Sequence, residues 1–255
     1  MTPGDPVSGR GNNQGFEGLT ISPSGKLLYA LLQSATIQDG GSDSATRRYT
    51  RLLTYDISKP GSPVYKSEQV VPLPIYKTAK GKDRVAAQSE IHALSKSQFL
   101  VLSRDSGAGH GADDSKSLYR QVDVFDISSA SDVAGPAADS LGGSIATSKG
   151  VLNSTITPAT YCPFLDFNDN DQLAKFGLHN GGDQDSGLLN EKWEGLALAP
   201  VKPGKKGDEY FLFAFSDNDF ITQDGYLKGG EFKYADESGF NLDSQALVFR
   251  VELPK

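Results

Sequence analysis

Gly15-Phe16-Glu17-Gly18-Leu19-Thr20-Ile21-Ser22 returns, with changes, as Ser89-Glu90-Ile91-His92-Ala93-Leu94-Ser95 and again as Lys192-Trp193-Glu194-Gly195-Leu196-Ala197-Leu198-Ala199. Each copy sets a glutamate ahead of a short apolar strand, and each is followed by a hydrophobic run, at 27–32, 99–102 and 210–215. An alternating, β-branched and aromatic segment closes each unit, at 50–56, 121–127 and 246–251, a composition that suits strands. Tyr55-Asp56-Ile57-Ser58 and Phe125-Asp126-Ile127-Ser128 therefore hold equivalent places. One supersecondary unit repeated in this order marks a radial or stacked architecture, and a radial one turns the same position of every unit toward one axis. The expectation is an all-β fold, a partial β-propeller of about three to four blades with long inserted loops, in which Glu17, Glu90 and Glu194 converge.

Working outward, 73 residues separate Glu17 from Glu90 and 104 separate Glu90 from Glu194, against roughly 40 to 50 per blade in regular propellers. The excess falls in insertions. The longest, 128–190, is rich in Ser, Gly, Ala and Asp, with one short helix expected near 169–176 under an Asp169 N-cap. Inserts of that length on a rigid scaffold read as binding loops. The span 1–255 is read as a single domain, truncated at its N-terminal side because the first repeat phrase begins almost at once.

Composition excludes several function classes. A net charge of −7 argues against nucleic acid, which is met by a basic patch. No stretch approaches the roughly 18 to 20 apolar residues of a membrane span. Met1-Thr2-Pro3-Gly4-Asp5-Pro6 has neither a basic segment nor an apolar core, so no signal peptide is present in this chain. The single cysteine, Cys162, can form no internal disulfide and is expected as a buried structural thiol. Asn153-Ser154-Thr155 is a glycosylation sequon that matters only in a secreted chain.

Sharper motifs fail on their own chemistry. Asp166-Phe167-Asn168-Asp169-Asn170-Asp171 begins like an EF-hand loop, but Asp171 stands where glycine is required and Gly177 where the bidentate glutamate belongs. Gly107-Ala108-Gly109-His110-Gly111-Ala112 mimics a dinucleotide loop, yet the acidic Asp113-Asp114 that follows would repel a pyrophosphate. No Gly-x-Ser-x-Gly nucleophile elbow occurs.

The run from Asn13 through Gly15-Phe16-Glu17-Gly18-Leu19 to Gln33, with 89–105, 191–200 and Phe215-Ser216-Asp217-Asn218-Asp219-Phe220, resembles the phytase-like family, named for the esterase-like activity of phytase. The likeness runs over nearly the whole chain, and 119–127 with Phe176-Gly177-Leu178-His179-Asn180-Gly181-Gly182 are similar to its fungal branch. The resemblance implies a secreted hydrolase, with earlier blades ahead of the segment seen in this chain. A propeller closes its ring, so about three blades would leave an apolar blade face open; this chain alone is expected to be poorly soluble or inactive, and a monomer when complete.

The residues supply candidates for the chemistry. Carboxylates gathered within a few ångströms repel unless a cation intervenes, and calcium tolerates irregular oxygen geometry. Glu17, Glu90 and Glu194 are the expected calcium ligands, with Asp105, Asp217 and Asp219 at strand ends as further oxygens. In the repeat register Asp105 and Asp217 occupy equivalent places. His92 lies two residues beyond Glu90 and so on the same strand face, while His110 and His179 sit in glycine-rich loops. His92 and His179 are candidates for acid–base roles beside the three glutamates. Arg51 and Arg104 are candidates to clamp an anionic substrate. The expected activity is calcium-dependent hydrolysis of a phosphate or carboxylic ester. The alternative is a noncatalytic, calcium-stabilised propeller that binds its ligand.

Overall fold

The structure is a computed structural model that describes residues 6–202 and 207–253. Met1-Thr2-Pro3-Gly4-Asp5, read above for a targeting signal, lies outside the described residues, as do the ends of the 1–255 span.

Strands dominate, because the apolar runs are short, β-branched or aromatic, and punctuated by Gly, Asp and Ser loops. The first sheet is an antiparallel meander of β1 (Phe16–Ile21), β2 (Leu27–Leu32), β3 (Tyr49–Asp56) and β4 (Val64–Pro72) in that order. A small hairpin of β5 (Ile75–Lys77) and β6 (Asp83–Val85) leads to the second meander, β7 (Ala87–Ala93), β8 (Gln98–Arg104), β9 (Arg120–Asp126) and β10 (Thr160–Asp166). One helical turn, α1 (Pro136–Asp139), lies between β9 and β10. After β10 comes α2 (Asn170–Leu173), where the Asp169 side chain accepts from the N–H groups of Asp171 and Gln172, and a 3-10 turn carries the chain on through Phe176. That is the capped helix the sequence predicts. The third sheet joins β11 (Trp193–Pro200) and β12 (Glu209–Ser216), then, beyond a hairpin of β13 (Gly225–Leu227) and β14 (Phe232–Tyr234), β15 (Ala246–Glu252). Among the described residues the fold is all-β in several antiparallel sheets, none of them closed.

The chain divides into two compact units. One comprises Met1–Asp105 with Leu118–Phe167 and holds the first two sheets; the other comprises Ser106–Ser117 with Asn168–Lys255 and holds the third. In the first unit the two sheets pack face to face over Tyr29, Leu31, Leu52, Val71, Ile91, Phe99, Val101 and Phe125, all buried. Phe99 stacks on Phe125 with centroids 4.8 Å apart and meets Tyr29 edge-on at 4.7 Å, geometries that add to simple area burial. In the second unit Trp193 is fully buried and donates from Nε1 to the Asn190 carbonyl at 2.9 Å.

The segment 128–190 contains β10, which pairs along β9 from Thr160↔Asp126 to Asp166↔Gln121 as the outer strand of the second sheet. Cys162 sits on that outer strand and is exposed, so the buried thiol expected from the sequence is not what forms. An edge strand has a neighbour on one side only, and Cys162 points away from the face that Tyr161 packs against the core.

Candidate active site

The opening strand of each of the three larger sheets carries a β-bulge at the same point. In β1 the register shifts between Phe16↔Leu32 and Gly18↔Leu31, in β7 between Gln88↔Ser103 and Glu90↔Leu102, and in β11 between Trp193↔Ser216 and Gly195↔Phe215. The extra residues are therefore Glu17, Ser89 and Glu194. Glu90 lies one position further on, paired with Leu102 where the other strands have Gly18 and Gly195. The letters align the three glutamates; the hydrogen-bond ladder places two of them on bulges and the third just past one. A bulge re-aims the side chain it carries, so Glu17 and Glu194 leave their strands alike and Glu90 leaves in a different direction. Ser103 and Ser216 match in this register, which sets Asp105 level with Asn218 rather than with Asp217.

Glu90 and His92 are the candidate residues that the structure brings onto one strand face. Ile91 and Ala93 turn into the core between the sheets, so Glu90 and His92 project from the opposite side of β7, both half-buried. The neighbouring strand is β1, whose Leu19 N–H donates to Glu90 Oε1 at 3.4 Å, while Ile91 N–H donates to the same oxygen at 2.8 Å. Ala93 N–H returns to Thr20 Oγ1 at 3.1 Å and ties the two strands together. Burial raises the Glu90 pKa above 4.5, opposed by these two N–H donors, and burial lowers that of His92 below 6.5. A carboxyl that holds its proton more tightly thus stands on the same face as an imidazole that holds its proton less tightly. Their affinities converge, which is the arrangement acid–base chemistry uses near neutral pH.

The other sequence candidates have different surroundings. Arg51 is buried and its five N–H groups are all committed. Nε and Nη2 donate to Asp39 Oδ2 at 3.2 and 2.8 Å, Nη1 donates to Glu68 Oε1 and to the Ala138 carbonyl, both at 3.0 Å, and Nη2 also donates to the Gly143 carbonyl at 3.1 Å. No N–H remains to clamp a substrate, so the geometry makes Arg51 a cross-link between β3, β4 and the loop around α1. Arg104 donates from Nη1 to the Asp105 carbonyl at 3.3 Å. Asp105 is buried and accepts from Leu118 N–H at 2.6 Å and Tyr119 N–H at 3.3 Å, closing the base of the excursion that departs after it.

In the second unit, Asp217 accepts from Asp219 N–H at 2.9 Å and Asp219 pairs with Lys192 Nζ at 2.8 Å, both within the turn that ends β12. Asp219 and Phe220 are consecutive non-glycine residues with positive φ, 55° and 58°. His179 Nδ1 lies 2.7 Å from the Gly181 carbonyl and Nε2 lies 2.9 Å from Asp185 Oδ1. A carbonyl and a carboxylate can only accept, so both ring nitrogens donate and the imidazolium is favoured; its pKa is raised, chiefly by Asp185. His179 is thereby a loop clasp. His110 stacks near Phe240, with centroids 6.1 Å apart.

Two buried polar networks were not anticipated from the sequence. One surrounds Arg51, with Asp39 and Glu68 as its partners. The other is the fully buried Asp123, whose Oδ2 accepts from Tyr119 OH at 2.6 Å and Tyr161 OH at 2.9 Å. Burial raises the pKa of Asp123 and of both phenols. An aspartate in an apolar alternation, Val122-Asp123-Val124, was the available clue.

Among the described residues, no three His, Cys, Asp or Glu side chains stand together as a metal-ligand set. The observation that bears on a cation is Glu90 itself. This half-buried carboxylate has its ionisation opposed by burial and eased by backbone N–H donors alone, the electrostatic situation a cation relieves.

Comparison with known proteins then places the chain. The family model described as "Phytase-like: Esterase-like activity of phytase" matches residues 1–220. A protein of Arthroderma benhamiae, described as an uncharacterized secreted protein, is 51% identical over 234 residues, covering 88% of this chain and 46% of that relative. The chain thus spans about half the length of the curated relative it matches. No solved structure matches it. With most of its length matched by the family model and its repeat phrases standing at the heads of three sheets, the chain belongs to the phytase-like family.

Proposed function

We propose that this protein is a hydrolase of phosphate or carboxylic esters, that Glu90 and His92 supply its proton transfers, and that calcium assists at the same strand face. The observation that carries the reading is that Glu90 and His92 project together from one half-buried face of β7 in a chain of the phytase-like family. In this reading neutral His92 accepts a proton from an attacking water, and the fraction of Glu90 that carries a proton delivers it to the leaving oxygen. The N–H groups of Leu19 and Ile91 hold the Glu90 carboxyl in place throughout. Calcium, when bound, supplies Lewis-acid polarisation of the ester oxygen. The three sheets are proposed as blades of a β-propeller, and the secreted relative supports an extracellular setting. No helix among the described residues is long and apolar enough to cross a membrane.

The test is turnover of an aryl phosphate and an aryl acetate, with and without a calcium chelator, by the wild type and by Glu90→Gln and His92→Gln. Both substitutions should lower kcat by about two orders of magnitude or more while circular dichroism stays unchanged. Chelation should abolish turnover, and calcium should raise Tm by mass action. Full activity in both variants would remove the proton-transfer assignment, and chelator-insensitive turnover with a calcium-insensitive melt would remove calcium.

A further inference from the structure

The first sheet has a second face, turned away from the core it shares with the second sheet. Its ladder lines up Leu19, Ala30, Leu53 and Glu68 in one row and Ile21, Leu28, Tyr55 and Tyr65 in the next. Over this face lies a cavity of about 780 Å³, closed on one side by the loop of α1. Its volume falls within the range of small-molecule sites, roughly 300 to 1,000 Å³. Phe16, Leu32, Leu53 and Tyr55 give it an apolar floor, and Tyr65, Glu68 and Asp139 converge at its polar end.

We propose that this cavity binds a small organic ammonium compound with an apolar or aromatic body. Glu68 is buried, with one oxygen on Arg51 Nη1 at 3.0 Å and the other accepting from Tyr65 OH at 2.9 Å. Asp139 Oδ1 lies 3.5 Å from the same phenol, and its second oxygen accepts from Gly135 N–H at 2.8 Å. Arg51 cannot neutralise this end further, because its donors are spent and it already faces Asp39. What remains is carboxylate lone pairs and negative charge without donors to match, beside aromatic rings that favour a cation. Burial raises the Glu68 pKa, opposed by Arg51 and the Tyr65 hydroxyl and aided by Asp139, which lies close enough to share a hydrogen bond with it. An anion would meet repulsion at this end: of the two guanidinium groups lining the cavity, Arg51 has its donors committed and Arg10 stands exposed on the rim.

Three probes that share one ring separate the possibilities: benzylamine, benzyl alcohol and benzoate, followed by ligand-observed NMR and calorimetry. Benzylamine should bind at least about tenfold more tightly than the other two, and Asp139→Asn should erase most of that preference. Leu53→Trp, which fills the floor, should abolish binding of all three; if it fails to fold, Tyr65→Phe and Asp139→Asn decide. Equal binding of the three probes, a preference for benzoate, or benzylamine affinity that survives every variant would overturn the assignment.

Discussion

Glu90 and His92 respond to pH with opposite signs, and both signs follow from burial. The folded-state pKa of Glu90 is raised above 4.5, so the stability gained from its protonated form is fully present below 4.5 and is lost as pH rises through the folded value. That of His92 is lowered below 6.5, so the stability tied to its neutral form is present above 6.5 and is lost as pH falls through the folded value. Glutamine at position 90 keeps an acceptor for Leu19 and Ile91 and removes the charge. Glu90→Gln should therefore raise stability at neutral pH, modestly because the residue is partly exposed. The gain should vanish in acid. Urea denaturation at a series of pH values measures it, and a loss of stability at neutral pH would mean that the carboxylate is paid for by a partner. The residue type and the two-residue spacing were legible in the sequence; the proton affinities were not, because they depend on how deeply β7 is covered by its neighbours. Arg51 shows the same limit, since an arginine in a strand is spelled alike whether it faces a substrate or two carboxylates.

At the scale of elements, the repeat phrases located the first three strands of each unit, and Asp169 located α2, whose N-terminus its side chain caps. Strands β4 and β10 went unread because each is an outer strand with a mixed inner and outer face. β10 also lies inside a stretch whose Ser, Gly and Ala content suggested only loop. The bulges were invisible for a different reason. A bulge is one extra residue in a ladder, so it shows only when both strands are in register. This register gives the glycines after the bulges unequal roles. A Cβ on Gly18 would lie 2.8 Å from Gln88 Oε1 and 3.0 Å from the Ile91 side chain, both buried, whereas one on Gly195 would first meet Phe215 at 3.4 Å. Gly18→Ala should cost about 1 to 3 kcal/mol through overpacking of β1 on β7, and Gly195→Ala should be close to neutral. Denaturant midpoints of the two variants make the comparison. Equal effects would show that β1 and β7 can separate at no cost.

For the whole molecule, the consequence of open sheets is apolar surface. In the first unit Phe16, Leu19 and Ile21 are 56%, 59% and 53% exposed along β1; in the second, Phe215 and Val248 are 47% and 55% exposed on the third sheet. Their opposite faces are fully packed, by Tyr29 and Leu31 in one case and by Leu212 and Ala214 in the other. The third sheet is thus covered on one side and open on the other, and the first is open along β1 while the loop of α1 covers its outer face at β4; soluble monomers rarely present contiguous apolar faces beyond a few hundred Å². Covering them with protein is favourable at about 25 cal/mol per Å² of apolar area. The 255-residue chain should therefore associate as its concentration rises, with a light-scattering mass above 27.2 kDa and binding of a hydrophobic dye. Leu19→Lys with Ile21→Lys should weaken both readouts without unfolding the protein, because these side chains contribute nothing to the buried core. A mass of 27.2 kDa at every concentration, with no dye bound, would show instead that these faces are stable in water as they stand.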